Sequence, residues 1–471
     1  MKYSLPLLAL VVLLVSCNSA PPQPNDLEPI ATSSDLRVSD YGWGAQPLLV
    51  APTPQSLPTL KAARAIGWPQ GRLPVPAKGL KVTAYARGLE HPRWMTILPN
   101  GDVLVAETDT PRGSSGSGVM AWFSKRVMRF AGSGYPSADR ITLLRGLNSE
   151  GGAEIMRSFL EGLHSPFGMT LIGSTLYVAN TDAIVAFDYQ KEATELQATG
   201  REIASLPANA PNSHWTKNIQ ATADGTGLYV AVGSNSNIGE QGAAAEQNRA
   251  AILRLNLLTG DLEPFARGLR NPVGMALHPK TGELWAVVNE RDQLGNDLVP
   301  DYLTRVNAQD DFGWPTYYWG LLQDPRVSLD WDDNAPEAPD RLSAAKAPVS
   351  DCQRPPMRPR RVPDYALGAH TASLGIAFYP NDGSIAALRG HAIISQRGSW
   401  NRNPRSGYQV IAIPFDTLGN PVGQPKPVLT GFLDEREQAM GRPVGVAIDG
   451  QGAVLITDDV GGVVWRVTSA S

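Results

Sequence analysis

The sequence predicts an all-β fold, a six-bladed β-propeller with long loop insertions, and three observations carry that reading. A phrase recurs: "GLEHPRWMTILPNGDVLVAET" from Gly88, "GLHSPFGMTLIGSTLYVANTD" from Gly162 and "GLRNPVGMALHPKTGELWAVVNERD" from Gly268 share one layout. Each has Gly-Leu, a few polar or small residues, an apolar run, a turn, and a second apolar run ending in acids or amides. Three looser copies span Asn212 to Ser234, Ala372 to Trp400 and Gly441 to Asp459. Finally, hardly any stretch holds helical spacing, while 46 Gly and 39 Pro in 471 residues supply abundant turns.

Each element follows from this layout. The paired apolar runs are short and β-rich around Pro-Asn-Gly, Ala-Asp-Gly or Asp-Gly-Gln-Gly, so each phrase reads as a hairpin. "AILRLNL" from Ala251 and "VVWRV" from Val463 supply further strands, completing four-stranded blades. Blades bury their faces against one another and leave only short edges. The propeller is expected from Lys81 onward, with "VVWRV" pairing an early strand to close the ring. Phrases recur at uneven intervals, so the loops between them are large. A β-sandwich array is the lower-ranked alternative.

The flanks read differently. Lys2 precedes "LPLLALVVLLVSC", an apolar run too short for an ordinary membrane span, which makes residues 1–17 a targeting segment. Leu14-Val15-Ser16-Cys17 resembles the lipobox of bacterial lipoproteins. That implies lipidation at Cys17 and an exported, envelope-anchored protein touching the membrane through its lipid alone. Cys352 is the only other cysteine, so no disulfide framework is expected. Residues 18–80 are Pro-rich and read as a tether and extended lead-in. Residues 323–369, acidic then basic, read as a long functional insertion within the 81–471 catalytic domain.

Bulk charge narrows the function. Lys+Arg 41 against Asp+Glu 45 gives a net charge of -4, without the basic footprint that a nucleic-acid partner requires. Propeller ligands sit at one mouth of the channel, where the residues opening each phrase would gather: His91-Pro92-Arg93, His164-Ser165, Ser213-His214, Arg270-Asn271 and Arg442. His370, in "LGAHTASLG", opens a phrase the same way. One histidine in a strand-rich chain is usually structural. Equivalent placement in several blades points to function.

The joint order of "HWTKN", "LYVAVGSNSN", "GLRNPVGMALHP", "NERDQLGNDLVPDY", "FGWP" and "SQRGSWNR" resembles the sorbosone dehydrogenase-like branch of the soluble glucose dehydrogenases. That family consists of six-bladed propellers using pyrroloquinoline quinone (PQQ) and Ca2+. The resemblance implies His214 as catalytic base and Arg270 as the cation facing the quinone carbonyl, with Asn271 beside the cofactor. It implies cofactor contacts from His164, His370, Arg397 and Arg442. Calcium is expected at backbone carbonyls matching Arg291-Asp292, with Glu290, Asp292, Asp297 and Asp301 as acidic candidates.

Departures from the family pattern are Ser213 where an acid precedes the histidine, Arg291-Asp292 for Gly-Pro, and Arg397 for a lysine. The implied activity is oxidation of an aldose or sugar-derived aldehyde by hydride transfer to PQQ, with an unnamed electron acceptor. A calcium-dependent lactonase or esterase, and a non-catalytic carbohydrate- or protein-binding propeller, are the competing classes. The richness of the phrase openings in His and Arg rather than acids favours the anionic cofactor. For the leader, mass spectrometry of the mature protein should find an acylated N-terminal Cys17. An unmodified start at Asn18 or later would exclude the anchor.

Overall fold

In the computed structural model, which describes residues 41–111, 126–197, 199–329, 331 and 360–470, every repeated phrase forms the inner hairpin of one blade. Cys17, Cys352 and the 332–359 centre of the expected insertion lie outside those residues. The inner strands are Pro92–Ile97, Met169–Ile172, Lys217–Ala221, Asn271–Leu277, Ser373–Phe378 and Pro443–Ile448, numbered here as blades 1 to 6. Each touches the next around the ring, and blade 6 returns to blade 1. The fold is a six-bladed β-propeller.

The second strands explain why the sequence reads as apolar runs rather than alternation. Val103–Glu107 and Val454–Asp458 are buried at every position, because both faces of a blade are covered by its neighbours. Between blades, side chains such as Leu176, Val178, Ile394, Val454 and Trp465 are fully buried. Ring closure joins the two ends of the domain: Val463–Ser469 pairs antiparallel with Leu80–Arg87, Val463 opposite Arg87 and Ser469 opposite Leu80. The blade 6 sheet thus takes its outer strand from the start of the domain.

Two boundaries differ from the sequence expectation. From residue 41 the lead-in is extended, as its prolines require, yet it is strapped onto the propeller. Trp43–Gly44 adds a fifth strand to blade 4 and Val75–Pro76 one to blade 5. Between them, Trp68 sits edge-on to Trp465 (5.2 Å) and donates Nε1–H to Asp458 Oδ2 at 2.6 Å. Proline cannot serve an internal ladder but can lie on an outer edge. The second correction concerns the insertion, which ends before residue 365, because Tyr365–Ala369 is the fourth strand of blade 4.

Where neighbouring inner strands meet, the phrase carries glycine. A Cβ on Gly274 would lie 2.4 Å from Leu374 O of the next blade, one on Gly375 2.3 Å from Val444 O, and one on Gly445 2.8 Å from Arg93 O. In blade 2, Gly168 donates its N–H to Lys217 O at 3.0 Å and has room for no side chain. Blades 1 and 3 solve the contact otherwise. Trp94 stacks on Phe167 at 5.0 Å, and Asn218 donates Nδ2–H to Val273 O at 2.8 Å. Gly375→Ala is therefore expected to lower stability by roughly 1–3 kcal/mol, the usual range for overpacking. Thermal unfolding checks it, and an unchanged Tm would show that the ring yields freely there.

Candidate functional site

Adjacent strands run antiparallel, so the start of each inner strand and the end of the second open at the same mouth. That mouth holds a cavity of about 260 Å³, walled by Arg93, Phe167, His214, Trp215, Arg270, Asn271, Asp292, Asp301, His370, Arg397 and Trp400, among others. The opposite mouth carries the hairpin turns. Its wall includes Met95, Met169, Met275 and Phe378 together with Thr96, Thr170 and Gln220.

His214 precedes the inner strand of blade 3. Its Nδ1 lies 2.6 Å from Ser234 O, and a carbonyl can only accept, which assigns the proton to Nδ1 and the lone pair to Nε2. Burial, then the Arg270 guanidinium, push the imidazole from 6.5 down to about 3, so it is neutral at physiological pH. Gly233 makes room behind it: a Cβ there would fall 2.2 Å from Asn271 Oδ1 and 2.6 Å from His214 Cβ. Asn271 Oδ1 is buried and accepts no hydrogen bond among the described residues. An unpaired acceptor of this kind is ready for a donor on a ligand.

Arg270 is clamped. Nη1–H donates to Glu290 O at 2.7 Å, Nη2–H to Asn237 Oδ1 at 3.0 Å and Nε–H to Asn237 O at 3.2 Å, with Asp292 Oδ2 at 3.8 Å. It is a fixed cation on the cavity wall.

Across the mouth, arginines from blades 1, 5 and 6 gather at buried acids. Arg397 Nε donates to Asp459 Oδ2 at 2.8 Å, and Arg93 Nη2 lies 3.2 Å from the same oxygen. Burial alone would raise Asp459, but Arg397 first and then Arg93 hold it below the ordinary carboxylate range. Arg442 is buried beside them without an ion pair among the described residues. Burial, then Arg397, lower it to about 10. Its Nη2 donates to Tyr408 OH at 3.1 Å, and Tyr408 OH donates to Ser399 O at 2.7 Å, so Arg442 supports the cavity loop at 397–401 from behind. Gly398 (φ 99°) lies flat on the Tyr408 ring, where a Cβ would sit 2.3 Å from the ring. Arg93 Nε and Arg442 Nε are both buried without acceptors among the described residues. Three guanidiniums gather around two buried carboxylates, Asp459 and, 3.8 Å from Arg93, Asp109, and leave a wall suited to an anion.

His370 lies behind the floor, with Nδ1 3.4 Å from Asp292 Oδ1 and Nε2 3.0 Å from Gly295 O. Burial opposes its charge, but Asp292 holds its pKa above the ordinary value. Asp301, raised to about 6 by burial, accepts from Glu290 N–H at 2.9 Å and Thr371 Oγ1–H at 3.0 Å.

The structure thus brings His214, Arg270, Asn271, His370 and Arg397 to one cavity, with Arg442 one layer behind. It leaves His164 outside: that ring is half exposed and pairs with Asp182 at 2.8 Å on the outer rim. Of the expected calcium residues, Glu290, Asp292 and Asp301 line the cavity, whereas Arg291 and Asp297 do not. Arg291 points away from the cavity into a fully buried nest, donating to Pro315 O and Tyr317 O, each at 2.6 Å. Asp297 is taken by Arg402 at 2.5 Å, and Asp301 holds backbone amides. No group of three or more His, Cys, Asp or Glu suited to a metal occurs among the described residues. Sequence reasoning did not single out Asp459, Asn237, Gly233 or Tyr408. The first three close quoted apolar runs, a position as informative as the phrase openings.

A family model described as TrAA12-like matches residues 161–470. The chain belongs to the TrAA12-like family. An uncharacterised protein of Borreliella burgdorferi is 28% identical over 314 residues, covering 65% of this chain and 76% of its own length. A pyrroloquinoline quinone-dependent pyranose dehydrogenase of Coprinopsis cinerea is 24% identical over 439 residues, or 82% of this chain, which spans 53% of that relative. The holo PQQ domain of the Coprinopsis pyranose dehydrogenase superposes with a TM-score of 0.62 at 18% identity, over 85% of this chain and 98% of that one.

The state of His214 sets a pH dependence. Its folded pKa lies below the unfolded one, so as pH falls from about 6.5 toward about 3 the unfolded chain takes up a proton that the folded one refuses. Folding stability is lost across that window. His214→Gln should lose less over the same window. Parallel acid-denaturation slopes for the two proteins would contradict the assignment.

Proposed function

We propose that the protein is a PQQ-dependent dehydrogenase oxidising a hydroxyl of an aldose or sugar-derived aldehyde hydrate. The observation that carries this is a neutral His214 with its lone pair on Nε2, set beside the fixed Arg270 cation and facing an arginine-rich wall. The pyranose dehydrogenase relative supports the cofactor and substrate class.

The residues fit the group. Arg93 and Arg397 are positioned to hold carboxylates of the quinone, and Asn271 Oδ1 offers an unpaired acceptor. When bound, the quinone supplies the acceptor for hydride leaving the substrate carbon. His214 Nε2 takes the proton from the substrate hydroxyl, while the Nδ1–H to Ser234 O contact holds the ring in the working tautomer. Arg270, immobile because Asn237 and Glu290 hold three of its donors, stabilises negative charge that develops beside it without having to reorganise. Trp215, Phe167 and Leu374 line the same cavity and give it an apolar side.

A hydrolase reading draws less support, because Glu290, Asp292 and Asp301 line the cavity without forming a metal-suited group among the described residues. The test is titration of the purified protein with PQQ followed by dye-linked oxidation of aldoses, ketoaldehydes and lactones. Failure to bind the quinone ends this reading. In the same assay His214→Ala should keep quinone affinity while turnover falls by roughly 10²-fold or more, the usual size of a lost general base. Arg397→Ala should chiefly weaken quinone binding, with turnover recovering at high quinone concentration. If both variants lost affinity alike and kept normal saturated turnover, His214 would be a binding group and not the base.

A further inference from the structure

Resting on the quinone reading above, we infer that Lys217 is a positioning residue for the base, its buried amine holding the loop that carries His214 and Trp215. Six residues stand at one height in the inner strands, just before the glycine of the blade contact or its substitute: Arg93, Phe167, Lys217, Val273, Leu374 and Val444. Trp94 stacks on Phe167, and the carbonyls of the other five meet the blade before. The four apolar ones pack in one cluster, and Arg93 reaches the cavity wall. Lys217 does neither. Val, Leu or Phe satisfies packing at this height, so the amine of blade 3 serves another purpose.

Lys217 is fully buried and pairs with no carboxylate among the described residues, a costly state for a lysine. Its Nζ donates to Trp215 O at 3.2 Å and, at the longer distance of 3.4 Å, to His214 O. Thr181 Oγ1–H gives Trp215 O a second donor at 2.8 Å. Behind it, Asn212 Nδ2–H meets Thr181 Oγ1 at 3.1 Å, and Arg249 Nη2–H meets Asn212 Oδ1 at 2.9 Å. The Ser234 contact fixes the His214 ring, whereas this buried net fixes the backbone from which the ring projects. Burial, then the Arg249 guanidinium, hold the Lys217 amine well below the ordinary lysine value. That favours the neutral form, a donor that adds no charge behind the base.

The experiment compares Lys217→Met, which keeps the apolar stem and removes the donor, with the wild type, His214→Ala and the double variant. Turnover of Lys217→Met at saturating quinone should fall by about tenfold or more, the scale of a base set slightly out of line. In the His214→Ala background the same change should cost nothing further, because a residue acting through the base has nothing left to position. In the cofactor-free protein, amide hydrogen exchange should quicken in 212–217 and stay unchanged in the other inner strands. Unchanged turnover, losses that add in the double variant, or unchanged exchange in 212–217 overturns the inference. If Lys217→Met does not fold, Lys217→Leu, the residue type of blade 5, takes its place. Failure of both to fold shows an amine that holds the blade rather than the base, and overturns the inference as well. A wild type without quinone-dependent turnover ends the dehydrogenase reading, and exchange in 212–217 then decides by itself whether Lys217 holds the loop.

Discussion

The close approach of inner strands around the channel is the constraint on which the rest depends. Gly168, Gly274, Gly375 and Gly445 each stand where a neighbouring backbone comes within reach of a missing Cβ. Six sheets can share one axis only if their innermost strands meet this closely. The hydrogen bonds that bridge them, such as Thr457 Oγ1–H to Arg93 O at 2.9 Å, then fix each blade's height relative to the next. Because every inner strand starts at the same mouth, fixing those heights also fixes the ring of residues that precede the strands. The channel geometry and the site are one construction.

Within that ring the chemistry is divided by charge. Blades 3 and 4 contribute an uncharged imidazole, an unpaired amide oxygen and one clamped guanidinium. Blades 1, 5 and 6 contribute three arginines around two buried acids, Asp459 and Asp109. Both halves sit in a partly desolvated cavity, where fixed dipoles and charges act with little screening. Desolvation and Arg270 keep His214 neutral, and the same Arg270 is held by carbonyls rather than neutralised by a tight carboxylate. Asp292, at 3.8 Å, tempers its charge without cancelling it. An anionic ligand entering the cavity meets Arg93 and Arg397 on one side and, on the other, Arg270 with Glu290, Asp292 and Asp301 beside it.

The lead-in shows how far a proline-rich stretch can be integrated without regular structure. It takes edge positions on blades 4 and 5 and inserts Trp68 against Trp465, near the strand that closes the ring. Thr53 N–H and Gln55 N–H also bond to Leu294 O and Gln293 O, at 2.9 and 3.0 Å, beside the turn that holds Arg270 in place. The strap therefore braces both the closure of the propeller and one wall of its cavity.

The sequence alone determined the propeller, because blade architecture is written locally: two apolar runs around a turn, repeated six times, with both faces covered. It also placed His214, Arg270 and Asn271 at one mouth, since equal position in a repeat becomes equal height in the ring, whereas Arg397 was implied only by the family resemblance. Tertiary structure decided what a repeat cannot encode. His164 occupies an equivalent position to His214, yet Asp182 draws it to the outer rim, while Ser234 O holds His214 at the cavity. Arg442 is drawn behind the wall by Tyr408, a residue of another blade and far away in sequence. The acids at 292, 297 and 301 are close along the chain, but each meets a different partner across space, from Asn401 to Arg402 to Thr371. Local pattern settles which way a strand runs and where its ends lie. The partner of a buried charge is settled only when distant segments compete for it in a medium that leaves no charge unpaired at low energy.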